Sequence, residues 1–566
     1  MVGTSFRDTL VRAARHWLAV PCAIFVLAFL YRFNALGGAL GGFDGDHFIY
    51  YLGATAVAHG QRPLRDFADA GVMGAWPALT YELPAMAQRI IGTTFLTEAL
   101  VTVSLLALAL AVAAATVGGI AGRAGAFITV TATLFASTKL YGYSKVLVFA
   151  VAAAMFVRFV REPSRARAAQ VGAWCAVAFL FRHDYLVYLG VPVLILMLVG
   201  TPGWRDAVDR LGVCALTVVM MLALPLYSIH HYVGLGSYVE TARALVAQEA
   251  NRTTFRWPQF SAAPGGLSAF LSDEGNAIAF LYDLSVAIPI VALLALIGSP
   301  TAKGLDTRQT RAVIASLAVL ALTLDRFFLR NNLGARFGDL GAPIAILAAW
   351  AVWRFAEGSV VRRAVAWASV IVVLVPTLHA LDTTGSLRHE LDTSGLSDSV
   401  QKIGRRLVTV TAELGALPRS AAAPPDDEPN AVEYVRQCTA PADRVLVVAD
   451  APEILAMAGR PFAGGHPTFR PGFYTLARDQ QQTIERLRRQ SVPVVLLDEE
   501  HSYSSHFVPQ FRLVHEHVMA NYERAGELPA PAGAPVQVFT MRGRATSGQY
   551  RTTGLPCFSR SRGQVR

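Results

Sequence analysis

Long apolar runs alternate with short polar connections from Trp17 to about Leu381, and there the alternation stops. A helix crosses the hydrocarbon core of a bilayer with about 20 apolar residues, within a range of about 17–25. By that measure the chain carries about eleven candidate spans. They lie near 17–33, 95–120, 124–138, 143–160, 168–181, 185–200, 211–229, 276–298, 310–325, 338–357 and 361–381. Residues 124–138 and 168–181 are the shortest. Arg7, Arg12 and Arg15 precede the first run as they would in a signal sequence, but further spans follow, so an uncleaved first helix is expected.

After Asp382 the pattern changes. Ala, Pro and Asp crowd 415–430, as in a linker. Beyond it the spacing predicts helix Ala431–Arg436, strand Arg444–Ala449, helix Gln480–Gln490, strand Val492–Asp498, helix Phe511–Tyr522 and strand Val536–Met541. The expected fold is therefore mainly α, a polytopic membrane helix bundle followed by a small soluble α/β domain. The expected domains are 1–381, with a first outer loop at about 34–94, and 382–566. No phosphate-binding loop or nucleotide fingerprint is present. Gly464-Gly465-His466-Pro467 reads as a turn. Glu499, Glu500 and His501 follow a strand end, where either a solvated loop or a site can sit.

Composition agrees with a membrane protein. The 566 residues are 53% hydrophobic and 16% charged, with a mean hydropathy of +0.41, whereas soluble domains carry about 25% charged residues. The net charge of +10 does not indicate nucleic acid, because the basic residues fall in short loops between apolar runs. Placing the N-terminus in the cytoplasm puts Arg158, Arg161, Arg165 and Arg167, and then Arg354, Arg362 and Arg363, on the inner side. An odd number of spans then leaves the C-terminal domain outside the inner membrane. Cys22, Cys175 and Cys214 lie in apolar runs and read as small core residues. Cys438 and Cys557 lie in the soluble part and are candidates for a disulfide in an oxidising compartment. No C-x-x-C spacing suggests zinc.

The unusual residues gather on the predicted outer face. Asp44 and Asp46 stand directly beyond the first span, ahead of a short amphipathic helix predicted from Phe48 to Ala58 at the membrane interface and ended by Gly60 and Pro63. Two carboxylates two residues apart suit a general base or a divalent cation such as Mg or Mn. Asp46 equally suits the cap of a helix beginning near His47. Later outer loops hold Lys139 and Lys145, then Arg182, and finally Arg326, Arg330 and Arg336 with Asp325 and Asp339. Guanidinium groups bind phosphate through a planar fork of donors; ordinary pairing of Arg326 with Asp325 or Arg336 with Asp339 is the other reading. His230 and His231 read as inert interfacial residues.

The first outer loop, Asp46-His47-Phe48-Ile49-Tyr50 followed by Gly60-Gln61-Arg62-Pro63-Leu64-Arg65-Asp66-Phe67, resembles that of the GT-C class of membrane glycosyltransferases. The nearest pattern is that of the bacterial dolichyl-phosphate-mannose protein mannosyltransferase and aminoarabinose transferase group, D-E-x-x-Y and then G-x-x-P-Y-x-D-F. His47 stands where those proteins have an acid, and Leu64 where they have a tyrosine. The resemblance implies inverting-type transfer of a sugar from a polyprenyl-phosphate donor to a hydroxyl on a lipid, polysaccharide or protein acceptor, at the extracytoplasmic side. It implies Asp46 as the catalytic base, Asp66 as its helper and Asp44 as a substitute carboxylate. His47, Tyr50, Arg65, Lys139, Arg182, Arg330 and Arg336 are then candidates for contact with substrate. The rival is a transporter or flippase of lipid-linked saccharides, which would more naturally place charges at the midplane and repeat its halves; the sequence shows neither.

Overall fold

The computed structural model describes residues 6–36, 43, 45–68, 78–136, 139–252, 256–262, 266–297, 300–329, 337–385, 387–388, 391, 399–418, 430–448, 451–470, 472–497, 507–529 and 535–558. All eleven predicted segments fall on helices. These are α1 (Phe6–Asn34), α4 (Phe95–Phe135), α5 (Tyr143–Arg161), α6 (Arg165–Phe181), α7 (His183–Gly200), α8 (Trp204–Tyr232), α11 (Glu274–Leu294), α12 (Thr307–Phe328), α13 (Phe337–Ala356) and α14 (Val360–Thr383). Segments 95–120 and 124–138 share α4, which is broken at Gly122 (φ 75°, ψ −173°). Among the described residues, six helices are long and apolar enough to cross a membrane, and the stretches Ala19–Asn34 and Gly341–Ala356 are shorter apolar ones. Helices α6 and α12 carry arginines near their ends, which shortens their apolar length.

Packing groups the chain otherwise than hydropathy does. One compact unit holds residues 1–38, 102–225 and 253–407; the other holds 39–101, 226–252 and 408–566. Composition along the chain reports the solvent of each segment, not which segments pair.

In the first unit, α12 packs on α7 and α11, α13 on α5, α11 and α14, and the short helix α10 (Gly266–Leu271) on α11 and α14. Small residues allow the close approaches: a side chain at Gly172 would collide with the backbone of Cys214. Cys175 and Cys214 are buried, as expected, but Cys22 is exposed on α1 and is not a core residue. Helix α14 leaves Val361, Val372 and Val375 bare of protein, and α8 leaves Leu216, Met220 and Leu224 so. Apolar faces of this extent need lipid to cover them.

In the second unit, β1 (Val445–Val448), β2 (Val494–Leu497), β3 (Tyr522–Pro529) and β4 (Pro535–Met541) form a sheet of order β1-β2-β4-β3. The β1–β2 pair is parallel and the others are antiparallel. Strands β1 and β2, VLVV and VVLL, are buried throughout, as apolar runs covered on both faces must be. Helices Pro452–Ala458 and Ala477–Arg489 lie between them in sequence. Phe469, Leu487, Phe511, Val514 and Val518 join the strands in one core. Cys438 and Cys557 are joined by a disulfide. The sequence pattern did not show β3, whose exposed ERAGE stretch lacks apolar alternation.

The same unit contains α2 (Gly45–Ala58), α3 (Leu79–Ile91) and α9 (Leu235–Arg252). Helix α2 was expected to present an apolar stripe to the membrane interface. Instead it packs on α3 and on Pro452–Ala458 and buries nine of its residues, from His47 to Val57. Gly53 permits the α3 contact, since a Cβ there would lie 2.5 Å from the Tyr81 ring.

Candidate functional site

Asp46 sits inside the first turn of α2, because the helix already starts at Gly45. The capping role expected of a helix beginning near His47 therefore does not apply. The position still favours a carboxylate, since the free N–H groups and dipole of a helix N-terminus attract negative charge. Its side chain is 41% exposed and forms an ion pair with Arg470, itself 20% exposed. Arg470 follows the Gly464–Pro467 turn, and nothing local in the sequence marks it as a partner. Asp44 lies outside the described residues.

The next residue turns away. Successive helical side chains diverge by about 100°, so His47 points into the protein while Asp46 does not. The His47 Nε2 lies 3.3 Å from the Glu98 Oε1, and both side chains are 1% exposed. The imidazole also sits 4.4 Å from the Phe43 ring, beside Phe95. Tyr50, one turn past Asp46, is half-buried with its ring 6.2 Å from Tyr81. The resemblance put an acid at position 47; here an acid reaches that neighbourhood from Glu98, 51 positions on.

Asp66 shapes its own loop. Its carboxylate accepts the Arg62 backbone N–H at 2.8 Å and both prongs of the Arg65 guanidinium at 2.8 and 2.5 Å. Leu64, at φ 70°, donates its N–H to the Phe67 carbonyl at 2.7 Å. The loop is fastened by the Ala68 N–H to the Gly465 carbonyl, 2.7 Å, by Arg486 Nη2 to the Arg65 carbonyl, 2.7 Å, and by Phe67 against Phe462. The Arg62 guanidinium covers the Tyr232 ring at 3.4 Å.

The remaining candidates belong to the first unit. Lys139 lies 5.6 Å from the Tyr141 ring centre. Arg182 grips Asp184 with two hydrogen bonds of 3.0 and 2.7 Å, and Tyr188 donates to the same carboxylate at 3.0 Å. Lys145, expected in an outer loop, is instead inside α5 and buried in an ion pair with Asp339. Asp325 accepts the Ser285 hydroxyl at 3.0 Å. Arg330 and Arg336, like Glu499, Glu500 and His501, lie outside the described residues. No group of three or more His, Cys, Asp and Glu positioned for a metal occurs among the described residues.

The second unit also contains a cavity of about 700 Å³, lined in part by Arg65, Asp66, Tyr474, Arg478, Arg486 and Arg489. His466 lines it too, and its imidazole is buried. Burial first, and then the Arg486 charge, push its pKa down to about 3. Thr483 donates its hydroxyl to the Asp479 carbonyl and so accepts from the His466 Nε2–H at 2.9 Å, which fixes the tautomer.

No family model matches the chain, and no curated protein matches it. Solved structures do. ArnT from Cupriavidus metallidurans bound to undecaprenyl phosphate is similar with a TM-score of 0.49 and 13% identity, over 94% of this chain and 99% of that one. Its apo state gives 0.46 and 14%, over 93% and 98%. The archaeal oligosaccharyltransferase AglB from Archaeoglobus fulgidus, in complex with an inhibitory peptide and a dolichol-phosphate, gives 0.43 and 12%, over 91% and 74%.

Sequence reasoning missed three residues of this neighbourhood: Glu98, Arg470 and Arg486. Glu98 is an isolated acid at the start of an apolar helix, and that much was visible. The two arginines meet the first loop only through folding.

Proposed function

We propose that the chain is a polytopic membrane glycosyltransferase that moves a sugar from a polyprenyl-phosphate donor to a hydroxyl acceptor, with Asp46 as general base. The carrying observation is the Asp46 carboxylate at the first turn of α2, accessible and paired with the Arg470 guanidinium, inside a loop that resembles the catalytic loop of such enzymes. Asp46 takes the proton from the acceptor hydroxyl as it attacks the anomeric carbon. The bond from that carbon to the donor phosphate breaks, and the electron pair leaves on the phosphate oxygen. Negative charge thus passes from Asp46 to the leaving group. A fixed guanidinium beside Asp46 favours the ionised base before transfer and remains as positive charge once the base is neutral.

The Arg470 guanidinium engages the Asp46 carboxylate and would compete there with a divalent cation. The basic residues favour a cytoplasmic N-terminus and an extracytoplasmic C-terminal domain.

The test is transfer of labelled sugar from a panel of polyprenyl-phosphate sugars by the full chain in nanodiscs, with Asp46→Asn alongside. Transfer that vanishes in Asp46→Asn at equal abundance supports the reading. Full activity in that variant removes Asp46 as the base. No turnover, together with lipid-saccharide translocation in proteoliposomes, would favour a transporter.

A further inference from the structure

The 700 Å³ cavity falls within the usual range of small-molecule sites, about 300–1,000 Å³. All of its lining residues belong to the second unit, and Asp46 is not one of them.

The charges in its wall are unevenly satisfied. Arg65 is spent on Asp66, 2.5 Å away. Arg478 is spent on Glu240 at 2.5 Å and on Asp479 at 3.2 Å. Arg486 is different. Its Nη2 donates to the neutral Arg65 carbonyl, and no carboxylate among the described residues lies within ion-pair distance of it. Three carboxylates of the wall, Asp66, Asp479 and Glu485, offset its charge only from beyond contact distance, so an anion in direct contact would relieve more of the cost of burying it. Burial lowers the Arg486 pKa, and the charges of Asp66, Asp479 and Glu485 act in the opposite direction.

The backbone makes room for this guanidinium. At Gly465 (φ +83°) a Cβ would stand 2.6 Å from Arg486 Nη1 and 3.0 Å from the Asp66 carbonyl oxygen. The group is therefore held between a glycine and the carbonyl of Arg65, at a fixed place in the wall.

We propose that this cavity binds an anionic saccharide, with Arg486 receiving its phosphate or carboxylate. The cavity is far larger than a phosphate ion. Beyond the arginines, Gln61 and Gln482 supply planar donors and acceptors and Tyr474 an aromatic ring, the equipment for binding hydroxyl groups and sugar faces. The choice of a saccharide over other anions rests on the transferase reading. The anion belongs to the acceptor. The donor's phosphate is bonded to the anomeric carbon under attack and must lie close to Asp46, whereas a remote acidic sugar of an extended acceptor need not.

The experiment measures binding without turnover, by calorimetry on full-length Asp46→Asn protein in nanodiscs. The probes are glucose 1-phosphate, glucuronate, glucose and inorganic phosphate. An acidic sugar binding at least ~10-fold tighter than both glucose and inorganic phosphate, a step of about 1.4 kcal/mol, supports the site. So does a loss of at least ~10-fold in Arg486→Gln with its unfolding temperature retained. The exposed neighbour Arg489→Gln, which should fold normally, should show a smaller loss. Unchanged affinity in Arg486→Gln, equal binding of inorganic phosphate, or no binding of either acidic sugar overturns it. Displacement of the bound sugar by a short-prenyl phosphate sugar overturns the assignment to the acceptor. Because no transfer is needed, failure of the transferase reading leaves this result independent.

Discussion

Arg470 and Asp46, 424 residues apart in the chain, form an ion pair within one compact unit. Both side chains are partly exposed, so the pair adds little stability: exposed pairs contribute about 0.2–1 kcal/mol. A double-mutant cycle of Asp46→Asn and Arg470→Ala on unfolding should return a coupling in that range. Transfer should respond far more, with kcat/KM falling by at least ~10-fold in Arg470→Ala, in line with the loss of one fixed charge at a reacting centre. Wild-type turnover in Arg470→Ala would reduce the pair to a contact that only positions the chain.

The His47–Glu98 pair is the opposite case. Both side chains are buried, so removing one takes a close polar neighbour from the other. Glu98→Ala should destabilise the protein by about 1–3 kcal/mol. The double variant His47→Leu/Glu98→Leu should cost less than the two single changes added together, because it removes both buried polar groups at once. Strict additivity in thermal unfolding would show that the two groups do not depend on each other.

Helix α2 offers a sign test at Gly53. In an open helix, Gly→Ala stabilises by about 0.5–1 kcal/mol. Here the new methyl group would lie 2.5 Å from Tyr81 Cε1 and 2.9 Å from Cδ1, so overpacking of about 1–3 kcal/mol should reverse the sign. Restored stability in Gly53→Ala/Tyr81→Leu would assign the loss to that ring. A stabilised Gly53→Ala would mean that α2 and α3 can move apart at little cost.

Acid should weaken the second unit through His466. Its folded pKa is pushed down to about 3, against about 6.5 in the unfolded chain. Between those values the unfolded chain binds the proton and the folded one does not, so stability falls as pH falls, by up to ~1.4 kcal/mol per pH unit. Unfolding followed from pH 7 to pH 4 should show a steeper loss for wild type than for His466→Gln. Parallel curves would remove His466 as the source.

Much of the fold was legible in order of residues alone. The apolar runs marked the long helices of the bundle, though not the short helix Gly266–Leu271, because lipid demands about 20 apolar residues in succession and that demand is local. In the C-terminal part, VLVV and VVLL stood out as buried strands, and Gly60 with Pro63 marked where α2 stops. Strand β3 was invisible, since its place comes from its hairpin partner β4 rather than from its own alternation. The character of α2 was also misjudged. Its apolar residues suggested a lipid interface, and only the arrival of α3 and Pro452–Ala458 showed protein on those faces.

The candidate site divides along the same line. Sequence by itself marked Asp44 and Asp46 as carboxylates beside a predicted membrane boundary and left a cap and a base equally open for Asp46; the resemblance of the first loop to the GT-C pattern singled out Asp46. The same resemblance marked Asp66, without showing that its carboxylate is engaged with Arg62 and Arg65. What only the tertiary structure decided is who faces whom: Arg470 on Asp46, Glu98 on His47, and Arg486 behind Gly465. Such pairings depend on contacts between residues tens to hundreds of positions apart, and they are set by the packing of whole elements, which no local pattern of hydrophobic and polar residues encodes.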